Sequence, residues 1–305
     1  MKSIRSLLAW CFLCGTTVLQ GQNFAGDMAL SKILIKGETW ERIGGNFGST
    51  DGAATDQKGN FYFSGRSGDK GSIFQISPEG SVSTFIADAP GISGLQFGPD
   101  GKLYGTRWGK NDVVVFDQSG GFKSIASGDH PNDLVITSQG LFFFTSNSGI
   151  QFLDQSKGAV TVATGIKGPN GISLSPDQGT LIVSEYGGKH VWAYRVDADG
   201  QLSFGEPYMT LRLPFGKKQS KGDGATTDIE GRYYVTSALG IQMFDATGRI
   251  SGVISKPSSS GISNVAFAGL NHRYLYVTSG GEIYRRLTKT RGLVFSEDFR
   301  KRPLP

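Results

Sequence analysis

The chain has 305 residues, with 31 Lys and Arg against 26 Asp and Glu, and its 45 glycines are about twice the usual ~7% share. The net charge of +5 is too weak to point to nucleic acid. Both cysteines, Cys11 and Cys14, lie near the start, and the only imidazoles are His130, His190 and His272. Disulfides, thiolate chemistry and a His-rich zinc site are therefore excluded from the body of the chain, and a metal there would be a hard cation held by oxygen.

Lys2 and Arg5 precede a mostly apolar stretch of 13 residues, Leu7 to Leu19. That is short for a bilayer span and has the form of a secretory signal. Residues 1–21 are expected to be removed, leaving a secreted or periplasmic protein with a charge of +3, 29 basic against 26 acidic. Cys14-Gly15 raises lipid anchoring as an alternative, but Leu13 stands where a small residue belongs. No later segment has transmembrane length.

Residues 22–305 are organised by a repeat. Its six copies are DGAATDQKGNFYFSG from Asp51, SGLQFGPDGKLYGTR from Ser93, NDLVITSQGLFFFTS from Asn132, NGISLSPDQGTLIVSE from Asn170, DGATTDIEGRYYVTS from Asp223 and SNVAFAGLNHRYLYVTS from Ser263. The turn residues Gly59, Gly101, Gly140, Gly231 and Asn271 follow the leading residue by eight. In the fourth copy Gln178 reads as an insertion before Gly179, an offset of nine. Turns advance by 42, 39, 39, 52 and 40 residues, the length of a four-stranded blade. The second strands are nearly continuous apolar runs, such as Leu141 to Phe144, suited to packing on both faces. The expected fold is all-β, one six-bladed β-propeller of four-stranded antiparallel blades around a central channel. Ile33 to Ile43 is expected to complete the last blade. The surplus in the long interval lies at Pro214 to Gly222, either a solvated loop or a lip over the site.

The leading residues should stand at one height around the channel. Asp51, Asn132, Asn170 and Asp223 offer hard oxygen donors there, and Ca²⁺, which takes roughly six to eight oxygens, would keep positions open for water and substrate. Asp-Gly and Asn-Gly are also turn dipeptides, which is the competing explanation for Asp51, Asn170 and Asp223.

At these residues the chain resembles the senescence marker protein/gluconolactonase family, which includes regucalcin. The pieces that carry the resemblance are HPNDL (His130 to Leu134), GPNGISLSPDQGTLIVSE (Gly168 to Glu185), KGDGATTDIEGRYYVTS (Lys221 to Ser237) and LYVTSGGEIYRR (Leu275 to Arg286). The resemblance implies a divalent cation, usually calcium, on Asp51, Asn132, Asn170 and Asp223. Asp51 stands where the family has a longer Glu, and His130 where several members place a substrate Arg. It further implies a lactonase acting on a small-molecule lactone or sugar-acid ester, with Asp223 as base and Asp133 as the alternative catalytic carboxylate. A phosphotriesterase-like hydrolase on the same cation and a non-catalytic binding propeller with a structural cation are the competing readings. Glu185, Tyr186, Arg107 and Trp108 end second strands, where packing and surface roles are expected ahead of channel roles.

Overall fold

Each of the six copies folds as a four-stranded antiparallel sheet. The computed structural model describes residues 30–297, so the leader predicted at 1–21, with Cys11 and Cys14, and the basic tail Arg300-Lys301-Arg302 lie outside the described residues. Blade one is built from Ser49–Thr55, Phe61–Ser67, Lys70–Ile76 and Val82–Ile86, ordered from the channel outward. The next four blades repeat this plan in chain order, and together the six form the expected β-propeller. The sixth takes its outermost strand from the other end of the chain, Glu41–Gly45 antiparallel to Glu282–Leu287. This closing strand starts later than the sequence suggested. Ile33 and Leu34 instead pack in the core between blades five and six, and Leu34 bridges Thr288.

Packing follows directly from the apolar second strands. In a strand, alternate side chains face opposite ways. Phe143 enters the core shared with blade four, whereas Phe142 and Phe144 enter the core shared with blade two. Tyr62 likewise faces blade two, and Phe61 and Phe63 face blade six. Six apolar clusters thus fill the six gaps between neighbouring blades. Burying each such side chain stabilises the ring by about 1.5–3 kcal/mol.

The turn of blade four differs from its reading in the sequence. Gln178, not Gly179, holds the left-handed position (φ 60°) that Gly59, Gly101, Gly140 and Gly231 hold elsewhere, so the offset of eight applies to all six copies. A side chain in this conformation costs about 1–2 kcal/mol, and Gln178 offsets it with bonds no glycine could make. Its amide nitrogen donates to the Phe295 carbonyl at 3.0 Å, and its amide oxygen accepts from Ser138 N at 2.9 Å and Ser138 Oγ at 3.1 Å.

That latch fixes the C-terminal segment under the propeller. Leu293 and Val294 are buried, and Leu293 N donates to the Thr227 carbonyl at 3.3 Å. The segment Leu293 to Ser296 closes one end of the channel, leaving beneath Asp133 and Asn264 a small cavity of about 60 Å³. Gln178→Ala keeps the strained backbone and loses the latch. It is expected to cost about 1–3 kcal/mol and to speed amide exchange at 293–297; unchanged protection there would refute the latch.

Candidate active site

The leading residues are aimed at the channel by irregularities in the inner strands. Pairing with the second strand slips between Asp51 and Ala54, Ile92 and Leu95, Pro169 and Ile172, and Ile262 and Asn264. Such bulges rotate the bulged residue out of the regular ladder. In blades three and five the regular ladder begins only after Asn132 and Asp223.

A hydroxyl from the second strand of each of blades one to five then fixes the next blade, and one from the innermost strand of blade six completes the set. Ser64 Oγ donates to the Ile92 carbonyl at 3.0 Å, Thr145 Oγ1 to that of Asn170 at 2.7 Å, and Ser184 Oγ to that of Asp223 at 2.7 Å. Thr106 holds the Asn132 carbonyl in the same way, and Thr236 that of Ser263 at 3.3 Å. Ser263 Oγ closes the circle on the Thr50 carbonyl at 2.8 Å. Glycines allow this close approach: a Cβ on Gly171 would lie 2.1 Å from the Asp223 carbonyl oxygen.

Three carboxyls meet in the channel and feel one another's charge. Burial pushes Asp51 up to about 6, against the opposing pull of Arg66, the Gly52 amide and Asn264. Asp133 is pushed up to about 8 by burial and then by Asp51, with Asn264 opposing. Burial raises Asp223 well above the usual carboxylate range, and Asp51 and Asp133 raise it further, while the Asn170 amide and the Gly224 N–H oppose the shift. Asn264 is the partner that the repeat did not disclose. Its Nδ2 donates across the channel to both Asp133 oxygens, at 3.0 and 3.2 Å, and a Cβ on Gly224 would collide with it. A signal existed, since the residue after the leading position is Gly in four copies and only Asp133 and Asn264 in the others.

Among the described residues, no three carboxylates, imidazoles or thiolates are grouped so as to hold a metal by themselves. A cation would therefore need amide oxygens, and Asn170 Oδ1 is buried without a hydrogen-bond partner. An orphaned amide oxygen beside mutually repelling carboxyls fits a hard divalent cation. Asn132 is half-buried, with its backbone held by Thr106 and Thr145.

Above this ring lies an open cavity of about 280 Å³, lined by Asp223, Lys221, Tyr186, Thr50 and Ser263 among others. Asp223 faces it, whereas Asp133 lines the small cavity at the opposite end. Tyr186, Ala238 and Gly280 stand two residues after the hydroxyls Ser184, Thr236 and Thr278 and line the mouth; the equivalent positions in blades one and two are Arg66 and Trp108. His130 packs edge-on against Trp108, ring centroids 4.5 Å apart, and its Nδ1 lies 2.9 Å from Asp129.

Of the strand-end residues, Glu185 and Arg107 take the expected packing role, whereas Tyr186 lines the mouth, where a packing or surface role was expected ahead of a channel one. Burial raises the proton affinity of Glu185, but Trp192 Nε1 and the amides of His190, Lys167 and Lys189 outweigh it and hold the carboxyl below its ordinary range. Arg107 is committed to Asp112, at 2.7 and 2.5 Å. The long segment before Asp223 is anchored rather than free. Ser220 is fully buried, donates its amide to the Gly188 carbonyl at 2.8 Å and accepts from Ala238 N at 2.9 Å, so it delivers Lys221 and Asp223 to the mouth.

The SMP-30/Gluconolactonase/LRE-like region family matches residues 121–281, just over half of the chain. The chain belongs to this family. A gluconolactonase of Zymomonas mobilis is 27% identical over 252 residues, 72% of this chain and 70% of that one. The pentonolactonase XacC of Haloferax volcanii is 25% identical over 228 residues, 70% and 75% of the two chains. Among solved structures, a calcium-binding regucalcin from Agrobacterium tumefaciens superposes with a TM-score of 0.69 at 16% identity, covering 85% of this chain and 96% of that one.

Proposed function

We propose that this family member is an exported, calcium-dependent lactonase that opens sugar lactones at the mouth of the channel. What supports the reading most is the convergence of Asp51, Asp133 and Asp223, with the unpartnered Asn170 amide oxygen, at the foot of an open cavity. The lactonase relatives and the calcium-binding neighbour point the same way.

Asp51, Asn132, Asn170 and Asp223 would hold the cation. When bound, it supplies Lewis acidity toward the lactone carbonyl and favours the anionic form of the carboxyls around it. Asp223, as the carboxylate open to the cavity, takes a proton from the attacking water. The water oxygen bonds to the carbonyl carbon, the ring C–O bond breaks, and the departing alkoxide receives that proton from Asp223, giving a hydroxy acid. Ser184 fixes the backbone of Asp223 through its carbonyl, and the Asn170 amide orients its carboxyl. Asp133 and Asn264 act from below as a charged, hydrogen-bonded floor. His130, held edge-on by Trp108, would contact the substrate.

A panel of sugar lactones and one organophosphate, run with and without chelator, tests this. Lactone turnover should disappear with chelator and return with Ca²⁺. Chelator-insensitive turnover, or a preference for the organophosphate, would overturn it.

A further inference from the structure

We propose that the channel mouth carries an anion subsite formed by Arg66 and Lys221, so that the lactones opened best carry an ionised carboxylate beside the lactone ester. This rests on the lactonase reading and adds the substrate class to it.

The argument begins with charge compensation. Arg107 pairs with Asp112, Arg232 with Asp228, and Arg285 with Glu41 at 2.7 Å, while Arg286, whose Nε also lacks an acceptor, donates instead to the Glu38 carbonyl. Arg66 beside the channel is matched only loosely. Its Nη2 stands 3.8 Å from Asp51 Oδ2, beyond hydrogen-bond reach, and its Nε is buried with no acceptor. A buried donor without an acceptor is costly, and a ligand oxygen would relieve it. Arg66 lies directly across the strand pair from Ser49, which lines the mouth cavity, and its side chain remains 28% exposed.

Lys221 supplies the second cation. It lines the same cavity as Asp223, is exposed, and no carboxylate lies within 4 Å of it among the described residues. Its backbone is left-handed, at φ 52°, an unfavourable conformation for lysine. The buried Ser220 anchor holds it there, so the long segment before Asp223 places this ammonium at the mouth. Tyr186, 41% exposed on the cavity wall, offers an apolar face to the sugar ring. A neutral lactone uses only that face. A lactone with a distal carboxylate also gains charge-assisted hydrogen bonds, of which a planar guanidinium makes the most directional kind.

The experiment compares kcat/KM for glucaro-lactone, which carries a carboxylate, with that for neutral glucono-lactone in the calcium-loaded protein. The wild type should favour the acid-bearing lactone by about 10-fold or more, less at high salt. In Arg66→Gln/Lys221→Gln the ratio should fall toward one, Arg66→Lys should keep part of it, and Lys218→Gln, an exposed charge on the same segment, should leave it unchanged. No preference in the wild type, or a ratio untouched by the double variant, overturns the subsite. Calorimetric binding of the open-chain dicarboxylate glucarate separates this from the lactonase reading. If neither lactone is opened, that reading fails, and glucarate binding still decides the subsite. Binding weakened about 10-fold in Arg66→Gln, with an unchanged melting temperature, supports it, and equal or absent binding refutes it.

Discussion

Asp223→Asn is expected to lower kcat/KM for lactone opening by about 10²–10⁴-fold, the usual contribution of a positioned base. The neutral amide keeps the size of the side chain and one oxygen donor but cannot take a proton from water. Asp133→Asn should cost much less activity, because Asp133 lines the closed lower cavity and is bonded to Asn264 rather than facing the mouth. The fold should survive both changes, since the apolar clusters between blades hold the ring. Near-normal turnover in Asp223→Asn, with a native melting curve, would remove Asp223 from the base role.

In chelator, stability should fall as pH rises from about 4 to about 8. The carboxyl of Asp133 sits near 4 in the unfolded chain and is pushed up to about 8 in the fold by burial and Asp51, and that of Asp51 to about 6. Between those values the folded state binds more protons than the unfolded state, so each step up in pH favours unfolding. The loss should reach a few kcal/mol across the window and be complete above the folded values. Asp133→Asn should flatten the slope, and Ca²⁺ at pH 8 should recover the loss through binding to the folded state. Melting temperature against pH, with and without chelator, measures it. A flat or rising profile in chelator would show that the three carboxyls are not coupled as described.

The architecture was legible because a blade writes its own period into the chain. The leading residue, the turn eight positions later and the apolar second strand recur, and each follows from alternation and packing on two faces. Gln178 was misread because Gly179 beside it looks like the turn residue. The left-handed position is set by register, and the side chain there serves the latch. At the site, the leading positions gave Asp51, Asn170 and Asp223, which the ring brings into one electrostatic group. Asn264 and Arg66 were not legible in the same way. Asn264 reaches a partner 131 residues away, through space cleared by Gly224, and the repeat marks Asp133 and Asn264 only as the two copies without the usual Gly, not as partners across the ring. Arg66 stands out only through the acceptor it lacks.

The segment Leu293 to Ser296 makes the propeller a cup rather than a pipe. Whatever reaches the carboxyls must come in over the rim and go out by the same way, so an acid product still in the vestibule blocks the next lactone. Competitive inhibition by product is the kinetic signature of a vessel with one opening.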